Sequence, residues 1–410
     1  MKRSLFIILL LLSIFLPEVD AQIKPYDILR GRKRVEIPFQ YHNNFIIVQL
    51  TLNNTFPVKF VFDTGAEYTI LTKKEIAAML QMRFEREFRI MGADMRTELV
   101  AYLVRNVGIK MGSVDSPHSS ILVLDKDYFQ FDEYVGTDIH GILGADFFRQ
   151  FVIKIDYQKK YITLIRHKVF KVPKGKSSEV PVNIIKNKPY IQAPVSVNGE
   201  ESQPMKLLID TGASLSLLLH LQTNAALQLP ATYIKGNIGM GLGGFLEGYL
   251  ARIEKISLGN FSFAQPITNF QELVVDRDTS FLNGRNGIVG NNLLDRFTLT
   301  IDYTHEKLYL KPNKNYNKRI RYDRSGLVLM ATGERLSTFR VSEVIKGSPA
   351  EEAGILKGDI VVRVNWLSTG LLSLQDLNKK LKGRVGKKIK LVIRRNGRKI
   401  KRQFRLRDLI

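Results

Sequence analysis

Short apolar and alternating segments dominate the middle of the chain and predict β-strands. They are rich in β-branched and aromatic residues, are bounded by Asn, Gly, Pro and Asp, and include Phe45 to Leu50, Lys59 to Phe62 and Tyr161 to Ile165. Helical periodicity is clearest in two shorter pieces, Lys73 to Met82 and Ala145 to Phe151. The pattern therefore predicts a mainly β fold with few helices.

The strand pattern occurs twice. Residues 58–71 read VKFVFDTGAEYTIL and residues 205–218 read MKLLIDTGASLSLL, 147 positions apart. Further on, Ile155-Asp156-Tyr157 is answered by Ile301-Asp302-Tyr303 at an offset of 146. Agreement over about 120 residues indicates a tandem duplication. We expect one copy at residues 22–170 and the other at 171–318, with a connector over Lys168 to Ser178.

The first 21 residues have the pattern of a secretory signal. Lys2 and Arg3 precede an apolar run from Leu5 to Leu16, and Val19-Asp20-Ala21 follows at the usual cleavage positions. A helix of this length rises about 18 Å, less than the roughly 30 Å hydrocarbon core of a bilayer. The run predicts cleavage before Gln22 and an exported protein, periplasmic or extracellular. An uncleaved N-terminal anchor is the alternative.

The composition excludes several kinds of catalytic and metal-binding site. A chain of 410 residues is too long for one ordinary core, and it contains no cysteine, which excludes disulfides, thiolate metal sites and cysteine nucleophiles. No serine lies in a GxSxG elbow, and the histidines show no metal-ligand spacing such as HExxH, so neither a metal nor another cofactor is predicted. The six histidines are His42, His118, His140, His167, His220 and His305.

The duplicated motif carries the candidate chemistry. In each copy an apolar strand runs into an aspartate, a threonine and a glycine, at Asp63-Thr64-Gly65-Ala66 and Asp210-Thr211-Gly212-Ala213. A carboxylate there is costly to bury unless N–H groups of the turn donate to it. If a pseudo-two-fold axis brings the turns together, Asp63 faces Asp210 and the two carboxyls share a proton. One then activates a water while the other donates to a carbonyl oxygen, which is suited to peptide hydrolysis without a covalent intermediate.

At these residues the sequence resembles the retropepsin-like aspartic proteases. That family follows its Asp-Thr-Gly-Ala turn with a glycine-containing flap and then a hydrophobic-hydrophobic-Gly motif before a short helix. The flap candidates here are residues 91–94 and 238–241, and the glycine motifs are Ile142-Leu143-Gly144 and Ile288-Val289-Gly290. The resemblance implies two β-barrel lobes related by a pseudo-two-fold axis, with the protease site formed within one chain.

The resemblance also implies residue roles. Asp63 and Asp210 are the implied catalytic pair, and the hydroxyls of Thr64 and Thr211 brace the opposite turns. The implied supporting positions are Thr64, Gly65, Ala66, Thr211, Gly212 and Ala213, and the implied flap glycines are Gly92, Gly239 and Gly241.

Two departures qualify this interpretation. Pepsin-like enzymes commonly place Ser or Thr where this chain has Ala66 and Ala213; losing that hydroxyl raises the pKa of the pair and predicts activity nearer weakly acidic or neutral pH. Gly144 is followed by Ala145-Asp146, whereas Gly290 is followed by Asn291-Asn292, so the copies have diverged. The alternative function is a catalytically inactive peptide-binding or scaffold protein that keeps these turns as structural corners.

The C-terminal region has a different sequence pattern from the repeats. Residues 339–350 read as a strand and a Gly-Ser-Pro turn, followed by a short helix stopped at Gly354 and a strand that ends at Asn365. Residues 321–410 resemble the PDZ domains of exported bacterial proteases, with Trp366 departing from the usual glycine. The resemblance implies an α+β domain that binds peptides by strand addition. We expect free backbone N–H groups at Ser325, Gly326 and Leu327 to accept a peptide carboxylate; docking on the protease lobes alone is the alternative.

Charge is concentrated at the same end. The whole chain carries 62 Lys+Arg against 39 Asp+Glu, and residues 379–408 alone hold 15 basic residues against one acidic residue. Asn396-Gly397 predicts a tight hairpin there. The basic face is suited to an anionic envelope surface or an acidic peptide, and a solvated face without a partner is the alternative. Nucleic acid is not predicted, because no recognition helix or stacked-aromatic motif accompanies the charge.

Overall fold

The computed structural model describes residues 27–94, 96–128, 130–241, 244–273 and 282–410. The predicted signal, residues 1–21, and the predicted start at Gln22 lie outside them. Among the described residues, we find no helix with the length and apolar character needed to cross a membrane.

The described residues of the first repeat form strands and three short helices. Its strands are β1 (Arg34–Pro38), β2 (Gln40–His42), β3 (Phe45–Leu52), β4 (Phe56–Phe62), β5 (Ile70–Leu71), β6 (Glu87–Met91), β7 (Glu98–Met111), β8 (Val114–Leu124), β9 (Gly141–Leu143), β10 (Val152–Asp156) and β11 (Tyr161–Ile165). Its helices are α1 (Lys74–Met79), α2 (Phe131–Val135) and α3 (Ala145–Phe148). Both predicted helices form but end early: Gln81 has a left-handed φ of 51°, and β10 begins directly after Phe151.

The second repeat follows the same plan. Its strands are β12 (Ser178–Pro181), β13 (Asn183–Ile185), β14 (Lys188–Ser196), β15 (Gln203–Ile209), β16 (Leu217–His220), β17 (Tyr233–Gly241), β18 (Gly244–Arg252), β19 (Lys255–Leu258), β20 (Phe261–Ala264), β21 (Ile267–Gln271), β22 (Gly287–Val289), β23 (Phe297–Asp302) and β24 (Lys307–Pro312), and its helix is α4 (Asn291–Leu294).

The C-terminal domain has its own sheet and core. Its elements are β25 (Leu327–Thr332), β26 (Thr338–Val344), α5 (Pro349–Glu352), β27 (Ile360–Val364), β28 (Leu367–Ser368), α6 (Leu374–Leu381), β29 (Lys388–Arg395) and β30 (Arg398–Arg405). The sheet order is β25-β26-β27-β29-β30, and the predicted Asn396-Gly397 hairpin joins the last two strands with φ values of 48° and 78°. Leu377 and Ile389 belong to a hydrophobic cluster separate from that of the repeats.

Each repeat closes into a barrel around the same three-strand arrangement. In the first, β9 lies between β4, to which it is parallel, and β5, to which it is antiparallel. In the second, β22 lies in the same way between β15 and β16. A β3–β7 pairing closes the first sheet and a β14–β19 pairing closes the second. The repeat in sequence is thus a repeat in strand topology.

A further sheet is shared by both repeats, in the order β1-β11-β10-β23-β24-β12. At its centre Val152 pairs with Asp302 and Asp156 pairs with Thr298. Under the offset of 146, Val152 corresponds to Thr298 and Asp156 to Asp302, so exchanging the repeats reproduces the register. The pseudo-two-fold axis therefore passes at the Lys154–Thr300 pair, and a common hydrophobic cluster runs through both repeats.

Candidate active site

The two aspartates leave the ends of equivalent strands. Asp63 directly follows β4, and its N–H donates to the carbonyl of Leu143 at 3.0 Å; Asp210 directly follows β15, and its N–H donates to the carbonyl of Val289 at 3.0 Å. The last residues of β9 and β22 thus hold both turns at the edge of their sheets. The neighbouring residues Ala66 and Ala213 accept N–H bonds from the first residues of α3 and α4, at 2.9 and 2.8 Å.

The two threonines join the turns across the pseudo-two-fold axis. The Thr64 N–H donates to Oγ1 of Thr211, and the Thr211 N–H donates to Oγ1 of Thr64, both at 3.1 Å. Each hydroxyl donates onward to the opposite strand, Thr64 to the carbonyl of Ile209 at 2.7 Å and Thr211 to that of Phe62 at 2.9 Å. Both threonines are fully buried. Four reciprocal hydrogen bonds therefore fix how closely the aspartates approach.

The carboxyls meet where only glycine fits. A Cβ at Gly65 would lie 2.5 Å from the carboxyl carbon of Asp210, and a Cβ at Gly212 would overlap the carboxyl of Asp63. Oδ1 of Asp63 accepts the N–H groups of Gly65 at 2.6 Å and Ala66 at 3.1 Å, and Oδ1 of Asp210 accepts that of Gly212 at 2.8 Å. The N–H groups of the turns thus stabilise a charged carboxylate in a partly buried site.

The pair has the electrostatics of a shared proton. Burial raises the pKa of Asp63 well above its usual range, and the charge of Asp210 and a hydrogen bond with it raise that pKa further. Burial also raises the pKa of Asp210, although the hydrogen bonds from Asp63 and Gly212 and the charge of Arg285 oppose the rise. The two carboxyls therefore titrate as a pair that shares one proton, and the charge of Arg285 favours the ionised form at Asp210.

Sequence reasoning missed the polar residues around Asp210. Arg285 is close enough to favour the charged form of Asp210. Its Nε donates to Nε2 of His220 at 3.3 Å, and burial followed by the Arg285 charge lowers the pKa of that buried histidine well below its usual value. Tyr190, also buried, interacts electrostatically with both Arg285 and Asp210. No motif spacing links these residues, which come together only when β14, β16 and the segment before β22 fold.

The sequence marks Asn291 only as a position at which the two copies differ. Its Nδ2 donates to the carbonyls of Thr211 at 2.5 Å and Asn44 at 2.9 Å, while its Oδ1 accepts the hydroxyl of Tyr157 at 2.7 Å. Asn44 and Tyr157 belong to the first repeat, so this fully buried side chain connects the turn of Asp210 to the opposite lobe. Its counterpart, Ala145, has no polar side chain.

The predicted flaps approach one another. The first is the β6–β7 hairpin, where Gly92 donates its N–H to the carbonyl of Thr97 at 2.7 Å. The second is the β17–β18 hairpin, where Gly239 lies at a bulge and Gly241 faces Ala93 of the first flap. A Cβ at Gly241 would lie 2.6 Å from that of Ala93. Residues 242 and 243 of the predicted glycine-rich run lie outside the described residues.

The expectation of free N–H groups in the C-terminal domain is wrong. The N–H groups of Ser325 and Gly326 donate to Oδ1 of Asp323 at 2.9 and 2.7 Å, and that of Leu327 donates to Oγ of Ser325 at 3.1 Å. The physical reason is local: Asp323, two residues upstream, folds its carboxylate into the loop as an Asx turn. An incoming peptide carboxylate would therefore have to compete with an internal one.

The groove beside this loop faces the repeats. Leu374 of α6 packs against Gly136 at the end of α2, and Nδ2 of Asn378 is 3.4 Å from Oδ1 of Asn43. Glu343 accepts the N–H of Asn237 in the second flap at 3.3 Å. A cavity of about 250 Å³ lies at this junction. It is lined from the repeats by Ser214, Ile234 and Gly239 and from the C-terminal domain by Leu327, Leu329 and Lys382.

Family models match both the repeats and the C-terminal domain. An aspartyl protease family model matches residues 48–147 and 193–293, and a PDZ domain model matches residues 340–395. Among solved structures, the aspartic proteinase from Irpex lacteus aligns with a TM-score of 0.44 and 13% identity, covering 70% of this chain and 99% of that one. Comparison with curated proteins gives no significant match. The two family-model matches show that the chain contains two tandem aspartyl protease repeats followed by a PDZ domain.

Proposed function

We propose that this protein is an exported aspartic endopeptidase whose Asp63 and Asp210 activate the attacking water. One observation carries the proposal: the crossed hydrogen bonds of Thr64 and Thr211 hold the two turns together, so that the carboxyls of Asp63 and Asp210 face each other. A structural corner needs no second carboxylate facing it, since like charges in a buried site are unfavourable. An arrangement that keeps both is better suited to acid–base chemistry.

In the proposed reaction Asp210 is the base and Asp63 the acid. A water between them gives a proton to the carboxylate of Asp210 while its oxygen bonds to the scissile carbonyl carbon. Protonated Asp63 donates its proton to the carbonyl oxygen, forming a tetrahedral diol. Collapse of the diol breaks the C–N bond; the leaving nitrogen takes the proton held by Asp210, and one diol hydroxyl returns a proton to Asp63.

Replacing either aspartate tests the shared dyad directly. The purified protein, Asp63→Asn and Asp210→Asn are assayed on a casein-like substrate across pH. We expect activity in the parent and none in either variant. Activity that survives one replacement contradicts a shared dyad, and an inactive parent favours a peptide-binding or scaffold function. Since burial raises both pKa values, we also expect optimum activity at weakly acidic to neutral pH. An optimum near pH 2–3 would contradict that expectation.

Arg285 offers a finer test of which carboxyl is the base. Its charge lowers the pKa of Asp210, so Arg285→Gln should raise that pKa and move the acid limb of the pH–rate profile to higher pH. Arg252→Gln removes a half-buried arginine whose side chain donates to the carbonyl of Gln265, and it serves as the matched control. A profile that shifts equally in both variants contradicts the role given to Arg285.

We further propose that the PDZ domain holds an extended segment of a long substrate near the flaps. The cavity between Leu327, Asn378 and the second flap supports this role, because it lies where the PDZ domain meets that flap. Asn378→Trp should fill the groove and reduce cleavage of a long unfolded protein more than that of a short peptide. Lys379→Trp, on the exposed side of α6, is the control. Deletion of residues 321–410 with equal losses on both substrates would favour simple docking.

Export and surface binding are also part of the proposal. The leader at residues 1–21 supports export, which secretion of the tagged chain and sequencing of its mature N-terminus would test. The exposed basic residues of β29 and β30, including Lys388, Arg394 and Lys399, support binding to an anionic envelope surface. Salt-sensitive binding to anionic vesicles, absent with neutral ones, is the expected result; no binding leaves a solvated face.

A further inference from the structure

A cluster of two histidines and an aspartate lies outside the Asp63–Asp210 pair. Asp302 ends β23, His305 follows in the turn to β24, and His167 begins the 3-10 turn that follows β11. One nitrogen of each histidine and one oxygen of Asp302 all lie within 4.8 Å of one another. His167 and Asp302 are 135 positions apart in sequence, which is why a search for local ligand spacing did not detect the set.

The distance between His167 and Asp302 matches the donor spacing of a tetrahedral metal site. Bonds of roughly 2.0–2.1 Å at tetrahedral angles place neighbouring donor atoms about 3.3 Å apart. Nδ1 of His167 lies 3.3 Å from Oδ1 of Asp302. Nδ1 of His305 is nearer, 2.7 Å from Oδ2, but this side chain is 59% exposed and can turn outward to accommodate an ion.

The surroundings of His167 supply a second, independent indication. Its Nδ1 is buried and has no hydrogen-bond partner among the described residues, although a carboxylate oxygen is 3.3 Å away. Its other nitrogen, Nε2, is 2.9 Å from the hydroxyl of Thr304. With the proton on Nε2 and donated to Thr304, the lone pair of Nδ1 faces a carboxylate oxygen. Two electron-rich atoms so placed attract a cation between them, and an outer partner of this kind is typical of metal-bound histidines.

We infer that His167, Asp302 and His305 bind a divalent transition-metal ion of the zinc type, with water as the fourth ligand. Two imidazole nitrogens with one carboxylate oxygen favour such ions over Mg²⁺ or Ca²⁺. Only 3% of the Asp302 side chain is exposed, so it is held in place, while exposed His305 leaves a path for the ion. The nearby Lys307 is paired with Glu179 at 2.6 Å, which leaves the Asp302 carboxylate to the histidines.

The site would join the two repeats. His167 lies in the chain that leaves the first repeat, whereas Asp302 and His305 belong to the second. An ion bound by all three closes a long loop, which is the kind of crosslink that a disulfide supplies in other exported proteins. This chain contains no cysteine. The ion therefore serves as a structural crosslink, separate from the peptide-cleaving chemistry.

The duplication provides an internal control. Asp156 corresponds to Asp302, but its Oδ1 accepts the N–H groups of Gln158 and Lys159, both at 3.0 Å. The positions of His305 and His167 correspond under the offset of 146 to Lys159 and Asn313. The equivalent turn therefore has the aspartate without the imidazoles and should not bind the ion.

Zinc binding to tag-free, metal-stripped protein tests the inference. Titration calorimetry with ZnCl₂ should give one ion per chain and a higher melting temperature, and CoCl₂ should give the visible absorption of a tetrahedral site. We expect His167→Ala and His305→Ala each to weaken zinc binding at least about 100-fold, and Thr304→Val to weaken it roughly tenfold, since outer partners contribute 10- to 100-fold. His118→Ala, Asp156→Asn and Asp63→Asn should bind zinc as the parent does.

The results that overturn the site are equally specific. Zinc affinity unchanged in both histidine variants would mean that the ion binds elsewhere. A parent without stoichiometric zinc binding or a cobalt spectrum would show that the cluster is a hydrogen-bonded network only. Loss of binding in Asp63→Asn would move the ion to the catalytic pair. None of these outcomes depends on whether the protein cleaves peptides.

Discussion

Replacing Thr211 by valine tests the hydrogen-bonded crossing on which the site depends. Valine keeps the shape of threonine but removes the hydroxyl. That hydroxyl donates to the carbonyl of Phe62 at 2.9 Å and accepts the N–H of Thr64 at 3.1 Å. Thr211 is fully buried, so water cannot replace either partner. The change therefore leaves one buried acceptor and one buried donor unsatisfied.

The expected cost follows from those two groups. Each unsatisfied buried polar group costs about 1–3 kcal/mol, so the two together should lower the free energy of unfolding of Thr211→Val by roughly 2–6 kcal/mol. Urea unfolding followed by fluorescence measures this difference. Peptide-cleaving activity should fall as well, because the turn that carries Asp210 is no longer held against the one that carries Asp63.

Two further variants sharpen the measurement. Thr300 is buried in the sheet shared by the repeats, and no hydrogen bond of its hydroxyl is found within the described part of the chain, so Thr300→Val is the matched control. The double variant Thr64→Val/Thr211→Val should cost less than the sum of the single changes, since the two side chains share partners. If Thr211→Val costs no more than Thr300→Val, the crossing does not contribute to stability as reasoned here.

Three other replacements have definite expected outcomes. Because burial and Asp210 raise the pKa of Asp63, the folded protein loses stability as pH rises above 3.8, so Asp63→Asn should raise the melting temperature at pH 8 but not at pH 3. Burial raises the pKa of Asp295 to about 6, and Asp295→Asn should stabilise the protein above that pH by at most about 3 kcal/mol, measured by urea unfolding, with no gain below pH 3.8. Gly136→Ala would bring a Cβ to 2.7 Å from that of Leu374 and should expose the segment before the PDZ domain to limited proteolysis. Gly175→Ala, with a similar positive φ and open space around it, should not; equal proteolysis of the two would contradict the packing.

The catalytic turns were predictable because both copies preserve a local signal. Each apolar strand is followed directly by the same Asp-Thr-Gly turn, at residues 63–65 and, 147 positions later, at residues 210–212. Because the turn follows the strand in both copies, the sequence predicts that each aspartate lies at the end of its strand. The strand Tyr161–Ile165 was likewise predicted with its observed bounds, since β-branched alternation determines strands between clear breakers.

Other features depend on contacts that no local pattern records. Asn291 reaches Asn44 across 247 positions, and His167 reaches Asp302 across 135. The prediction of free N–H groups in the PDZ loop was wrong for a local reason. An aspartate two residues upstream is a common Asx-turn signal, and the Asp323 carboxylate accepts the N–H of Ser325.

In the proposed reaction, divergence between the repeats gives the two aspartates different roles. Two identical halves would give both carboxyls the same surroundings, leaving the shared proton equally placed on either. Here Arg285 favours the charged form of Asp210, and its counterpart in the first repeat under the offset of 146 is Ile139, a buried apolar residue. A single chain can therefore make one carboxyl the resident base and the other the resident acid. The pseudo-two-fold symmetry of the backbone brings Asp63 and Asp210 together. The side chains around them, Arg285 on one side and Ile139 on the other, do not follow that symmetry, so the two carboxyls are not equivalent.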